Sequence, residues 1–325
     1  MTFLRRFGFL ALSVVALGFA GCQKSSVINI PPPPPAQLYV ANFLSQQVNS
    51  FSRPITPASS PNTTLHVASA VDGVASDSAG NLYVPNTGVI YVYKQPITAT
   101  TVPTTYTITG AVNMRGLNFD NAGNLWVTDA GSNQVFELKA PFTASPVAPT
   151  RTIQCACFAF PIEVTTDIGN HLFVGNNGTG IVQVLNIPAV TGVSLLTPVA
   201  TLTSPTGSAL GLATDVTGHL FVTEDNNQSI MVYNPPFGTG NLPQFTISNP
   251  GFVDINGAES CGLPAQLHFD TSGALYVAYQ TDSSVAPTGC VALFTAPYSG
   301  GSVASIVLQG ATSGLTNPVD EGFAP

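Results

Sequence analysis

Charged side chains are scarce in this chain. They make up 7 % of its 325 residues, against about 25 % in typical soluble proteins. Cations are scarcer still: eight Lys and Arg stand beside sixteen Asp and Glu, a formal net charge of −8. So few cations cannot neutralise a phosphate backbone, which argues against nucleic acid as a partner. Ser, Thr, Asn, Gln and Gly must solvate the surface instead. Helix signals are almost absent, so an all-β fold is expected. Past the first twenty residues no stretch is long and apolar enough to span a bilayer. There is no Gly-x-Ser-x-Gly elbow, no phosphate-binding Gly loop and no His pair with zinc spacing. With 44 % hydrophobic residues the chain still has enough apolar material for a large core.

What is there is a repeat. Asp-x-x-Gly-x-Leu-aromatic-Val occurs as Asp77 to Val84, Asp120 to Val127, Asp215 to Val222 and Asp270 to Val277. Asp167 to Val174 is a further copy with Asn170 at the Gly position, and Leu38-Tyr39-Val40 is a truncated one. The leucines are spaced by 44, 43, 47, 48 and 55 residues. Periods of about 40–50 residues belong to propellers and solenoids. An alternating strand ending in proline follows each copy, at Pro54, Pro96, Pro141, Pro188, Pro236 and Pro297. Asp starts a turn by accepting a backbone hydrogen bond, and Gly or Asn supplies the positive φ of a tight hairpin. Three consecutive apolar residues then imply a strand buried on both faces, as stacked blades require. Proline cannot donate to a ladder and ends the third strand.

Four strands fit each repeat, and the first blade lacks its inner one. The C-terminal Pro318-Val-Asp-Glu-Gly322-Phe-Ala matches Ala70-Val-Asp-Gly73-Val-Ala. The expected fold is therefore a six-bladed β-propeller of four-stranded antiparallel blades, closed by the C-terminal strand completing the first blade. Closure removes exposed edges.

Residues 1–21 read as a signal peptide: Arg5 and Arg6, then an apolar run from Phe7 to Ala20 too short for a comfortable span. Phe19-Ala20-Gly21-Cys22 resembles a bacterial lipobox, with Phe19 in place of the usual Leu. The resemblance implies cleavage before Cys22 and lipidation of that residue. Residues 22–35 form a tether ending in five prolines, extended and stiff. Residues 36–325 are the propeller. The expected address is the bacterial cell envelope, lipid-anchored on the periplasmic or extracellular side.

The Asp-x-x-Gly-Asn-Leu-Tyr-Val motif resembles the NHL repeat, over essentially the whole mature chain. Propellers of that type are similar to gluconolactonases, strictosidine synthase-like proteins and a streptogramin-inactivating lyase; many others are binding platforms. The resemblance points to the face where the inner strands begin. Asp72, Arg115, Glu163 and Glu321 fall there, and carboxylates at such a mouth suit Ca²⁺. A second ring follows each repeat valine by two residues: Asn42, Asn86, Asp129, Asn176, Glu224 and Tyr279. Gluconolactonase-type enzymes hold a divalent metal with Glu, Asn and Asp near this channel. The same residue types are also ordinary loop starters. His171 and His219 lie in the hairpins, away from that face, and His268 is expected in the core.

Export makes cysteine pairing the expectation. The sixth blade carries two long loops on one face, each with one Cys, so Cys261 and Cys290 are predicted to be bridged. For Cys155 and Cys157, a local bridge, thiols and metal binding all stay open, with free or locally paired thiols favoured. The first reading is thus a monomeric, membrane-anchored propeller that binds a protein or a small polar ligand at the channel face without catalysis or a required cofactor. The alternative is a metal-dependent lactonase or related hydrolase of the gluconolactonase-like type.

Overall fold

The computed structural model describes residues 36–67, 71–203, 209–224, 228–248, 261–280 and 289–324. Residues 1–35, the expected signal peptide and tether, lie outside the described residues, as do most of the two long loops of the sixth blade.

The Asp-Gly hairpin explains why the repeat has the residues it has. In the third blade Asp120 Oδ1 accepts the Ala122 and Asn124 amides at 2.9 and 2.8 Å. Its Oδ2 takes Asn124 Nδ2 and Trp126 Nε1. Asp77, Asp167, Asp215 and Asp270 each accept the amide four residues on in the same way. The residue after the Gly position supplies the donor to the second oxygen: Asn81, Asn124, His171 and His219. In the last copy Ala274 has no donor, and Arg53 from the first blade pairs with Asp270 instead. Asn170 adopts φ 65° where the other copies have Gly at 77 to 86°, the left-handed turn that the sequence pattern requires.

Six sheets result. The first blade comprises Pro318–Ala324, Gln37–Asn42, Gln47–Ser52 and Thr63–His66, in that order from the axis. Gln37–Asn42 pairs antiparallel with the C-terminal strand, Leu38 opposite Phe323 and Val40 opposite Glu321. The ring closes as the sequence predicts. The other inner strands are Ala75–Ser76, Met114–Phe119, Pro161–Thr166, Ala209–Thr214 and Leu263–Phe269. Apolar clusters fill the seams between blades, each combining residues of neighbouring repeats.

One blade departs from four strands. Gly192–Leu195, from the segment between the third and outer strands of the fourth blade, runs parallel to Arg151–Gln154 and gives the third blade a fifth strand. Val193 and Leu195 on it are exposed. A strand that buries so little carries no periodic apolar signal, so the repeat count missed it.

Glycines set the closeness of the ring. A Cβ on Gly116 would overlap the Ile162 carbonyl and the Glu163 carboxylate; one on Gly211 would overlap the Ala265 carbonyl. Thr128 and Thr223 finish the same junctions. Their hydroxyls accept the Gly116 and Gly211 amides, and Thr223 donates to the Ala265 carbonyl at 2.5 Å.

Candidate functional site

The strand-start face does not gather Asp72, Arg115, Glu163 and Glu321 into one open site. Arg115 Nη1 pairs with Asp72 Oδ2 at 2.5 Å, both about 30 % exposed. The guanidinium also lies over Phe160, 5.5 Å from the ring centre. Burial pushes the Asp72 carboxyl up, and Arg115 counters only part of that.

Glu163 and Glu321 sit deeper, 1 % and 0 % exposed. Glu163 accepts the Val164 amide at 2.9 Å and a side-chain hydrogen bond from Gln266 of the sixth blade. It fits because Gly116 has no side chain. Neither oxygen of Glu321 closes a hydrogen bond; the amides of His268 and Ala278 are the donors that face it. Between these two stands Asp320, which Gly73 also approaches. Asp320 Oδ2 accepts the Val74 amide at 2.6 Å. Its Oδ1 accepts the Glu321 amide at 2.8 Å and meets His268 Nε2 at 3.0 Å.

Three buried carboxyls therefore share the channel with one imidazole. Burial raises all three, Glu163 and Glu321 well above the ordinary range. The negative charge of Asp320 raises Glu163 and Glu321 further, while His268 partly offsets the rise at Asp320. This favours the neutral acid at Glu163 and Glu321. His268 is thus not a core residue among apolar neighbours, as the sequence reading expected, but the polar partner of Asp320. Sequence reasoning passed over the pair because 52 residues separate them; the available signal was two acids side by side on a strand destined for the axis.

The second ring proves to hold the blades' incoming segments. Asp129 accepts four hydrogen bonds, from the amides of Val112, Asn113 and Gly131 and from Ser132 Oγ. Asn42 Oδ1 accepts the Thr316 amide and Asn176 Oδ1 the Ala159 amide. The Val112, Asn113, Thr316 and Ala159 amides each belong to the segment just before an inner strand. Asn86 caps its own turn through the Thr87 amide. Glu224 is buried, with Ser229 Oγ at 3.4 Å. Tyr279 is fully buried, its hydroxyl pushed well up by burial and by Glu321. Among the described residues no three His, Cys, Asp or Glu side chains group as metal ligands. None of the helices there could cross a membrane.

Cys261 and Cys290 are disulfide-bonded, Cα atoms 5.4 Å apart. Cys155 and Cys157 form a second, local bridge. The loops that the first bridge was predicted to clamp lie outside the described residues.

Open volume is found at the other end of the axis, among the hairpins. A 280 Å³ cavity there is lined by Asn118, Thr166, Thr214 and His268 together with the turns at Asp120, Asp167 and Asp215. His268, which meets Asp320 in the channel, thus also forms part of the cavity wall.

These features define a closed six-bladed propeller with a polar, carboxyl-filled axis. No protein-family model matches the chain, and no curated protein matches it significantly. Solved structures do share the fold. A protein of unknown function from Bacteroides caccae aligns with TM-score 0.66 at 11 % identity, over 89 % of this chain and 99 % of that one. A putative 6-phosphogluconolactonase from Bacteroides fragilis aligns with TM-score 0.57 at 13 % identity, over 89 % and 98 %. The catalytically inactive His-to-Ala virginiamycin B lyase from Staphylococcus aureus, with quinupristin, aligns with TM-score 0.53 at 11 % identity, over 85 % and 80 %. At such identities the likeness is one of fold.

Proposed function

We propose that this protein is a lipid-anchored propeller of the bacterial envelope that binds a protein or small polar ligand on its channel axis and does not turn it over. One observation carries the reading. The ionisable groups of the strand-start face are tied to one another, as Asp72 to Arg115, or sealed from solvent, as Glu163 and Glu321. An open polar volume lies at the hairpin end, floored by amide, hydroxyl and imidazole groups, and it offers the ligand a place on the axis. Lipid at Cys22 gives the anchor, and five prolines hold the propeller off the bilayer.

Two measurements test the two halves. Cys22→Ser is expected to move the protein from the detergent phase to the aqueous phase; unchanged partitioning removes the anchor. Purified protein is expected to leave a panel of lactones intact with and without added Ca²⁺, and metal-dependent turnover would overturn the non-catalytic reading.

A further inference from the structure

We infer that the cleft between the fifth and sixth blades, on the hairpin face, is a binding site for a small organic ammonium ion. The cleft measures 540 Å³ and is walled by Phe221, Phe245, Phe269 and Tyr298. Three of these rings stand nearly perpendicular to one another. Phe221 and Phe269 are 5.0 Å apart at 80°, Phe221 and Tyr298 5.3 Å at 78°, Phe269 and Tyr298 5.9 Å at 68°. The rings meet edge to face and give the cleft an aromatic wall, the kind of surface that attracts a cation.

The walls carry charge of one sign. Asp215 and Asp270 line the cleft, and no Lys or Arg does. The asymmetry extends over this half of the molecule: no Lys or Arg follows Arg151 in the sequence, whereas eleven Asp and Glu do. Arg53 reaches Asp270 from the first blade but does not line the cleft. His219 sits on the rim, bonded to Asp215. Tyr298 feels the field: its hydroxyl is pushed up to about 12, by burial first and then by Asp270 and Asp215.

The residue after the strand-ending proline packs against the preceding blade: Phe142 on Tyr83 at 5.5 Å, Phe237 on Phe173 at 4.9 Å and Tyr298 on Phe221 at 5.3 Å. The Tyr298 hydroxyl also donates to Gly273 O of its own hairpin at 2.5 Å. The cleft opens beside it.

The lining selects the guest. An anion would meet the Asp215 carboxylate and no lining Lys or Arg, while Asp270 is already paired with Arg53. A wholly apolar guest would strip water from the Asp215 carboxylate and offer no hydrogen bond in return. A bare metal ion would find both carboxylates already engaged by the turn amides. An ammonium group with a hydrocarbon coat satisfies rings and carboxylates together. The site shares the wall Thr214 to Val216 and Phe269 with the axial cavity but is otherwise separate. It stands whether or not the axis binds a ligand.

Isothermal titration of the intact protein with choline, and with its uncharged isostere 3,3-dimethylbutan-1-ol, tests the inference. Choline is expected to bind saturably in the millimolar range or tighter, and the isostere about tenfold more weakly. Phe245→Ala and Gln244→Lys, which touch this cleft and not the axial cavity, are each expected to weaken choline severalfold, Gln244→Lys at unchanged melting temperature. Gln244 is exposed, so its variant should fold. Absence of saturable choline binding, equal binding of the isostere, or indifference to both variants would each overturn the assignment.

Discussion

Glu321 is the residue on which the channel's electrostatics turn. Fully buried, with no hydrogen bond closed to either oxygen, it holds its proton well above the ordinary carboxyl range, chiefly through burial and then through Asp320. The sign of the consequence follows from linkage. Once the pH passes the unfolded value, the unfolded chain loses this proton while the folded chain keeps it. The folded state then binds more protons, so stability falls as pH rises towards the folded pKa. Glu321→Gln has no proton to lose and keeps the shape. Urea denaturation at about pH 5 and about pH 8 is expected to show a smaller decline for the variant than for wild type. Parallel declines would show that Glu321 titrates as it does in the unfolded chain. Such a residue could be placed on the axis from its strand position alone. Its burial could not, because burial depends on Glu163, Asp320 and Tyr279 arriving from three blades.

At the scale of the element, the inner strand is defined by how closely its neighbour approaches. Gly116 and Gly211 lie where the next blade's backbone touches them; Thr128 holds Gly116 within its own blade, and Thr223 bonds across the junction to Ala265. Gly116→Ala forces a methyl group into the Ile162 carbonyl and the Glu163 carboxylate. The expected cost is about 1–3 kcal/mol, the usual range for overpacking. Gly301→Ala serves as control, since an added Cβ there meets nothing nearer than Ser299 Oγ at 3.9 Å, and should stay within about 0.5 kcal/mol. Equal melting temperatures for the two variants would show that the blades can part to make room. The hairpin, by contrast, is legible in one dimension: Asp, Gly and the donor after it satisfy one another within five residues.

The whole molecule is held by one splice. Pro318–Ala324 pairs along the full length of Gln37–Asn42 and brings Asp320 and Glu321 to the axis. Deleting residues 318–325 is expected to abolish cooperative unfolding or lower the melting temperature strongly, because the first blade loses its inner strand and the sixth its neighbour. A deletion variant that melts like the wild type would mean the ring does not depend on this strand. The sequence by itself determined the strands, the hairpins, the number of blades and the closing strand, because each is written in hydrogen bonds and apolar alternation among residues close in the chain or repeated at a fixed period. Only the tertiary structure decided which polar groups meet. His268 finds Asp320 and Arg53 finds Asp270 across 52 and 217 residues; the fifth strand of the third blade crosses from another repeat; and side chains of several blades line open volumes among the hairpins. The reason is geometric: a repeat fixes what each blade is, while the ring fixes which side chains of different blades share a seam.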